Sequence, residues 1–378
     1  MQIGVEEFNG SRLKEALEYR QDTYTKLAEA VGVVPSNITK YVNGDLKPSP
    51  AVFDQIALYL NCPTVFFLSP SSETGAQEVS LWRSLKSATK RSRKRGSVIL
   101  EWQRRCYQYL SEHFEYPRFE APQIDVPDHF SEIDSEFIDN YCLLLRESWG
   151  LDTRPISHLV RLLERQGFCI STLALNNKKQ DAVSTVVDGI PYILLNSEIT
   201  SAARIRFNVA HELGHVLLHR SVTQEDLEDN DSFNEIEEQA HYFASSLLLP
   251  EKPFASDFWA PTLKCIETIK AKWNVSMQSI MRRALELNLI TSSQFSYLNI
   301  SISRKGWRVK EPLDDEVVPE RDRLFEQSVE QMSIRYSVGI RQILDTVAVP
   351  NDVARSMLGL HEIEGFEDTQ NVVRFPGK

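Results

Sequence analysis

The chain has 378 residues, 42% of them apolar, and a formal charge of −11 at pH 7, enough for two or three domains with real cores. Its five cysteines, at positions 62, 106, 142, 169 and 265, include no Cys-x-x-Cys pair, which excludes a disulfide framework and a cysteine-based zinc site and suits a reducing cytosol. The first residues lack the basic and apolar regions of a signal peptide, and no apolar run approaches the roughly 18 residues of a membrane span. The expected location is therefore cytoplasmic, with no membrane partner.

Residues 11–68 read as short helices joined by tight turns. Helical spacing links Leu13, Ala16 and Leu17, then Leu27, Ala28 and Val31, with Gly32 as a turn residue. A third helix is predicted from Pro35, which suits a first helical turn, to Asn43, with Gly44 as its stop. Pro48-Ser-Pro50 opens another helix and Asn61-Cys-Pro63 ends it. Two helices joined by a short Gly-containing turn make a helix-turn-helix, whose second helix enters the major groove with its N-terminal residues on base edges.

Charge complicates that reading. Residues 1–70 hold six Lys and Arg against eight Asp and Glu, residues 71–105 hold nine against three, and the remaining 27 and 42 lie beyond. Phosphate neutralisation supplies most non-specific DNA affinity, so the net negative first segment favours a helical module for protein contacts. The stretch 83–105 can supply the missing charge through Arg83, Lys86, Lys90, Arg91, Arg93, Lys94, Arg95, Arg104 and Arg105, with Glu101 its one acid. A solvated helix face is the other reading of those cations. Trp82 and Trp102 flank the stretch at a spacing that suggests packing anchors rather than base-stacking platforms.

The pattern Leu27-Ala-Glu-Ala-Val-Gly-Val, Ile38-Thr-Lys-Tyr41, Gly44 and Lys47-Pro-Ser-Pro50 resembles the phage-repressor (Cro/C1, or XRE) helix-turn-helix family over nearly all of residues 11–68. The resemblance implies double-stranded DNA as a partner, with Ser36, Asn37, Thr39 and Lys40 at the DNA-facing positions. The charge of the 83–105 stretch, outside the resemblance, makes Arg91, Arg93, Lys94 and Arg95 candidates for backbone contacts. Three positions depart from the pattern: Tyr24 replaces a usual Gln, Val34 a usual polar cap and Val42 a usual Glu.

Residues 106–135 form an acidic stretch interrupted by Pro117, Pro122 and Pro127, read as a surface connector. Helices are predicted at 136–149 and 155–167, and short strands at 168–174, 181–187 and 191–196. Strands with helices packed on one side make an α+β core, on which a helix over 201–219 would sit.

That helix carries the most informative motif, His211-Glu212-Leu213-Gly214-His215. Two His four apart share a helix face one turn apart and can grip one Zn²⁺, while the intervening Glu can activate a water. Phe207, His211, Gly214, His215 and Leu218 share the face. An interior Gly costs about 1 kcal/mol of helix propensity, so Gly214 points to close approach by another element or by the metal. A catalytic zinc takes three protein ligands plus water. Downstream, residues 234–249 read as a helix with Ile236, Ala240, Phe243, Ala244, Leu247 and Leu248 on one face and Glu235, Glu238, Gln239, Tyr242 and Ser245 opposite. Glu237 borders the apolar face with His241, which makes it the preferred third ligand. On a continuous helix His219 is rotated by about 80° from His211 at 3.6 residues per turn, which assigns it to a supporting, substrate-side or structural role.

His-Glu-Leu-Gly-His-x-x-Leu-His followed by Glu-x-x-Gln-Ala-x-x-Phe-Ala-x-x-Leu-Leu-x-Pro resembles the ImmA/IrrE family of metallopeptidases, itself similar to thermolysin-type zinc enzymes. The resemblance runs from about residue 135 to 290 and includes the Trp149-Gly-Leu turn, Pro155-Ile, Leu163-Glu-Arg-Gln-Gly167, Ile193-Leu-Leu-Asn and Arg204-Ile-Arg-Phe. It implies one Zn²⁺ per chain on His211, His215 and Glu237, with Glu212 as catalytic base. The family usually has Asp or Asn where His241 stands, a place from which a side chain orients a ligand through a hydrogen bond; His241 can do the same or ligate the metal.

Further helices are predicted at 262–273 and 277–287, a strand at Asn299-Ile-Ser-Ile, and helix over 315–345. Residues 300–378 carry no assignable chemistry; substrate recognition, assembly into a homodimer and scaffold all remain open. The expected organisation is multidomain: an all-α helix-turn-helix domain (1–70), a basic helical segment and linker (71–134), an α+β thermolysin-like (gluzincin-type) peptidase core (135–295), and a mostly helical extension (296–378). The function it implies is a transcriptional regulator with a narrow-specificity zinc endopeptidase that cuts a repressor or antitoxin-type protein. Fusion would hold the peptidase beside its target and raise effective concentration. Two alternatives stand beside it: a non-catalytic, antitoxin-like DNA binder with a structural or vestigial metal site, and a peptidase whose N-terminal domain binds protein rather than DNA.

Overall fold

The computed structural model describes residues 4–70, 90–122, 124–177 and 180–360. The chain divides into two compact units, one of residues 1–116, 171–177 and 323–378, the other of 117–170 and 178–322.

The first unit opens with five short helices, α1 (Gly10–Arg20), α2 (Tyr24–Ala30), α3 (Pro35–Asn43), α4 (Pro50–Leu60) and α5 (Thr64–Leu68). Local chemistry sets their ends. The Asn9, Thr23 and Ser49 side chains accept backbone N–H groups at the starts of α1, α2 and α4. Pro35 and Pro50 occupy first turns, and Gly44 and Asn61 end α3 and α4. So α3 spans the predicted residues, although Val34, being apolar, offers no side-chain cap. Leu13, Leu17, Leu27, Ile38, Phe53 and Phe66 are buried together. Phe8 meets Phe53 edge-on at 5.8 Å, an arrangement that adds to simple area burial.

The next described helix, α6 (Lys90–Ser111), packs on α1. It corrects the reading of a connector from residue 106: Trp102, Cys106 and Leu110, four apart, are all buried, so the helical stripe continues to the end of α6. Trp102 is the packing anchor expected, 4.9 Å from Tyr19 and edge-on to Phe66 at 5.8 Å, with its indole N–H on Glu15. Trp82, Arg83 and Lys86 lie outside the described residues.

In the second unit, irregular chain with a 3₁₀ turn at Phe130–Glu132 leads to α7 (Ser135–Ser148) and α8 (Leu159–Arg165). The helix predicted from 155 starts later because His158 serves as its cap, accepting from the Arg161 N–H. The strands that follow are β1 (Cys169–Leu173), whose last three residues belong to the first unit, β2 (Ala182–Val187) and β3 (Ile190–Asn196). β2 and β3 pair antiparallel, with Ser184 opposite Ile193. Asp188-Gly189 joins them with both residues at positive φ, as a tight two-residue hairpin requires.

Seven helices follow: α9 (Ala202–Leu218), α10 (Gln224–Glu228), α11 (Asn230–Leu248), α12 (Glu251–Asp257), α13 (Leu263–Trp273), α14 (Met277–Glu286) and α15 (Ser292–Arg304). Helix α9 lies on β2 and β3 and along α11, which in turn packs on α7. One apolar cluster runs through α7, α8, the strands, α9 and α11 to α15, from Ile138 and Leu163 through Ile193, Leu213 and Phe243 to Ile280. The strand expected at Asn299-Ile-Ser-Ile is part of α15. Thr291 and Gln294 form a capping box, and Leu298 and Ile302 are buried one turn apart; this packing overrides the strand preference of two isoleucines.

The chain then returns to the first unit with α16 (Leu324–Tyr336), α17 (Ile340–Val347) and α18 (Asn351–Met357), of which α16 and α17 pack on α6. The helical stretch predicted for 315–345 is thus shorter at its start and broken at Ser337, which has φ 54°. Among the described residues no helix is long and apolar enough to cross a membrane.

Candidate metal centre and DNA-facing helix

Helix α9 is tied down at its start by its own arginines. Arg204 makes a two-pronged pair with Asp181, just before β2, at 2.6 and 2.8 Å. Arg206 is buried, pairs with Glu320 at 2.5 Å, and donates to the carbonyls of Ile156 and Ser157. The same Glu320 accepts the Val160 N–H at 2.8 Å, so one carboxylate joins α9 to the start of α8. From Asn208 to His219 every residue of this segment is buried. Gly214 faces Phe243 of α11 so closely that a Cβ would stand 3.1 Å from its ring. The close approach expected there comes from α11.

That approach sets three donor side chains together. The His211 and His215 Nε2 atoms are 3.0 Å apart. Glu237 reaches across from α11, with one oxygen 3.6 Å from His211 Nε2 and the other 3.3 Å from His215 Nε2. Among the described residues these three alone form such a group, with donor atoms within 4.8 Å of one another. The residues fit zinc. Donors about 2.0–2.1 Å from a tetrahedral ion stand about 3.3 Å from each other, close to the separations here, and two imidazoles with one carboxylate are a recurrent catalytic set. Glu235 and Glu238 are exposed on the far side of α11.

Glu212 is fully buried and accepts a hydrogen bond from the Ser184 hydroxyl of β2 at 2.6 Å. Ser184 did not stand out in the sequence. Its signal is a hydroxyl in the middle of a buried strand segment, Ala182-Val183-Ser184-Thr185, where a polar group needs a partner.

His219 ends α9 outside the three-donor group. Its Nδ1 lies 2.9 Å from His215 Nδ1 and its Nε2 lies 3.0 Å from Gln239 Oε1. Burial, then the neighbouring His215, pushes the His219 imidazole down to about 3, so it stays neutral at ordinary pH. Gln239, assigned by periodicity to the polar face of α11, is buried instead. The assignment failed because α11 is covered on more than one side, by α9 and by the turn at 130–132. His241 is half-buried, edge-on to the His211 ring at 4.5 Å and stacked on Phe207 at 5.6 Å. It is not one of the three clustered donors.

In the first unit, Val31–Val34 turn the chain from α2 into α3. Ser36, Thr39 and Lys40 are exposed on α3 and Asn37 is half-buried, while Ile38 and Tyr41 face the core. The basic stretch divides. Arg91 is exposed, and Arg93 is half-buried. Lys94 is half-exposed and pairs with Glu18 at 2.7 Å. Arg95 departs from its predicted role: it is buried, lies over the Tyr19 ring at 4.0 Å and donates to the carbonyls of Tyr19 and Ala174. A guanidinium held this way is a packing element, not a phosphate ligand. Arg104 is likewise buried, on Glu101 at 2.8 Å.

Comparison with known proteins bears on both segments. Residues 13–67 match the helix-turn-helix family model and residues 163–285 the model for the IrrE N-terminal-like domain. No curated protein matches at a significant level. A solved structure, a Mycobacterium tuberculosis transcriptional regulator, is similar at 14% identity and a TM-score of 0.30, over 49% of this chain and 50% of that one. The chain therefore spans about half of that relative. By its two matched segments, the chain joins an XRE-type helix-turn-helix to an ImmA/IrrE-like domain.

Proposed function

We propose that this protein is a cytoplasmic, DNA-binding regulator whose second unit is a zinc-dependent endopeptidase of narrow specificity, acting on a repressor or antitoxin-type protein. The observation that carries the reading is the convergence of His211, His215 and Glu237 on one point, with the buried Glu212 one residue past the first histidine. A zinc ion bound there would polarise a peptide carbonyl and lower the pKa of a water towards about 7. Glu212 takes the proton of the attacking water and passes it to the leaving amine. Ser184 holds the Glu212 carboxylate from the sheet side. His211, Glu212 and His215 are buried, which strengthens polar interactions among them.

Metal analysis tests the site directly. The wild-type protein should hold one zinc per chain, and Glu237→Ala, with one of three ligands gone, should lose zinc and activity together while remaining folded. A folded Glu237→Ala protein with full zinc would mean that another side chain is the third ligand.

The DNA side of the proposal rests on exposed Ser36, Thr39 and Lys40 and on half-buried Asn37 on α3, with Arg91, Arg93 and Lys94 reaching the backbone. An Asn37→Ala, Lys40→Ala protein should lose its preference for the upstream region of its own gene in anisotropy titrations. Removing a cation that neutralises one phosphate should lower the log–log salt slope by about 0.9. A second reading, that the first unit binds protein instead, is favoured by the intramolecular use of Lys94, Arg95 and Arg104. Absent or salt-independent DNA binding would select it.

A further inference from the structure

We infer that Gln239, acting through His219, fixes which nitrogen of His215 is left open, and is therefore a positioning residue for the metal centre. The inference rests on the proposal that His215 is a metal ligand.

Donors and acceptors in the chain of side chains decide the matter. The Gln239 Nε2 donates to the carbonyls of Phe130 at 2.7 Å and Ile133 at 2.9 Å. Both amide hydrogens are thereby used on groups that only accept, and a flipped amide would set its oxygen against two carbonyl oxygens. The orientation is determined, and Oε1 faces His219 Nε2 at 3.0 Å. An amide oxygen only accepts, so His219 Nε2 carries the hydrogen. Gln239 offers no charge to pair with an imidazolium, and His219 is fully buried, so its ring is neutral with an acceptor at Nδ1. That acceptor lies 2.9 Å from His215 Nδ1, which must donate. The lone pair of His215 is left on Nε2, the atom 3.0 Å from His211 Nε2 and 3.3 Å from Glu237.

Histidines that bind metals are commonly oriented by a carboxylate or a backbone carbonyl on the other nitrogen. Here a neutral His–Gln pair takes that place. It fixes the tautomer and the ring plane without adding negative charge behind the ligand. The carbonyls of Phe130 and Ile133 belong to the turn before α7, so the position of His215 is referred to that turn through four hydrogen bonds.

The test needs no variant to fold. In the metal-free wild-type protein, labelled with ¹⁵N in its histidines, long-range ¹H–¹⁵N correlation at neutral pH should show His219 as the Nε2–H tautomer and His215 as the Nδ1–H tautomer. His219 protonated at Nδ1, or a His215 averaged over both tautomers, would overturn the inference. Gln239→Met should then release His215 to mixed tautomers and weaken zinc binding roughly 10–100-fold in chelator competition. An unchanged zinc affinity with a single His215 tautomer in that variant would also overturn it. Wrong tautomers in a protein that binds zinc defeat the inference alone. Correct tautomers in a wild-type protein that binds none defeat the metal reading, and with it the role given to Gln239.

Discussion

Glu212→Gln should retain full zinc and a native fold while lowering peptide cleavage by roughly 10²–10⁴-fold, the range for removing one general base. The expectation of a native fold follows from shape. Gln occupies the same volume, and its amide oxygen can still accept from the Ser184 hydroxyl, which stands 2.6 Å from the carboxylate. The expectation of retained zinc follows from position, because Glu212 is not among the three clustered donors. What disappears is the ability to accept a proton. Metal analysis, circular dichroism and single-turnover cleavage of a protein cut by the wild type read the three outcomes separately. Cleavage at the wild-type rate would remove Glu212 from the mechanism.

Gly10→Ala should cost about 3 kcal/mol, the upper end for forcing an atom into a packed site. Gly10 opens α1 against the end of α3, and a Cβ there would stand 2.2 Å from the Tyr41 carbonyl oxygen and 2.3 Å from that of Val42. Both neighbours are backbone at the end of the helix proposed to meet DNA, so neither can swing aside as a side chain could. Denaturant unfolding of wild type and variant measures the loss, and DNA binding should weaken with it. A variant as stable as wild type would show that α1 and α3 do not meet this closely.

Local chemistry made several elements legible in advance. Pro35 and Gly44 bracket α3 because one suits a first turn and the other a helix end. The spacing of His211 and His215 puts them on one helix face, and Glu237 stands at the apolar border of a later helix; the donor atoms of the three lie within 4.8 Å of one another. Tertiary context hid the rest. Gln239 is two residues from Glu237 and so points to another side of α11, which only packing reveals to be buried. Arg95 sits in a run of cations whose charge suggests a surface, yet it is buried against an aromatic ring with two of its nitrogens on backbone carbonyls. Ile300 and Ile302 read as strand because β-branched pairs usually do, and a capping box earlier in the same helix decided otherwise. Gln239 and Arg95 share one property: their partners are distant in sequence, so no local window contains them.

The most direct test compares the new protein N-termini that arise in cells carrying the wild-type protein with those in cells carrying Glu212→Gln at equal abundance. The account predicts a small set of cleavage sites, in one or a few repressor or antitoxin-type proteins, present with the wild type and absent with the variant, together with a matching difference in transcription of the genes those proteins control. Identical N-termini with identical gene regulation in the two strains would contradict it, and would leave the second unit a non-catalytic part of a regulator.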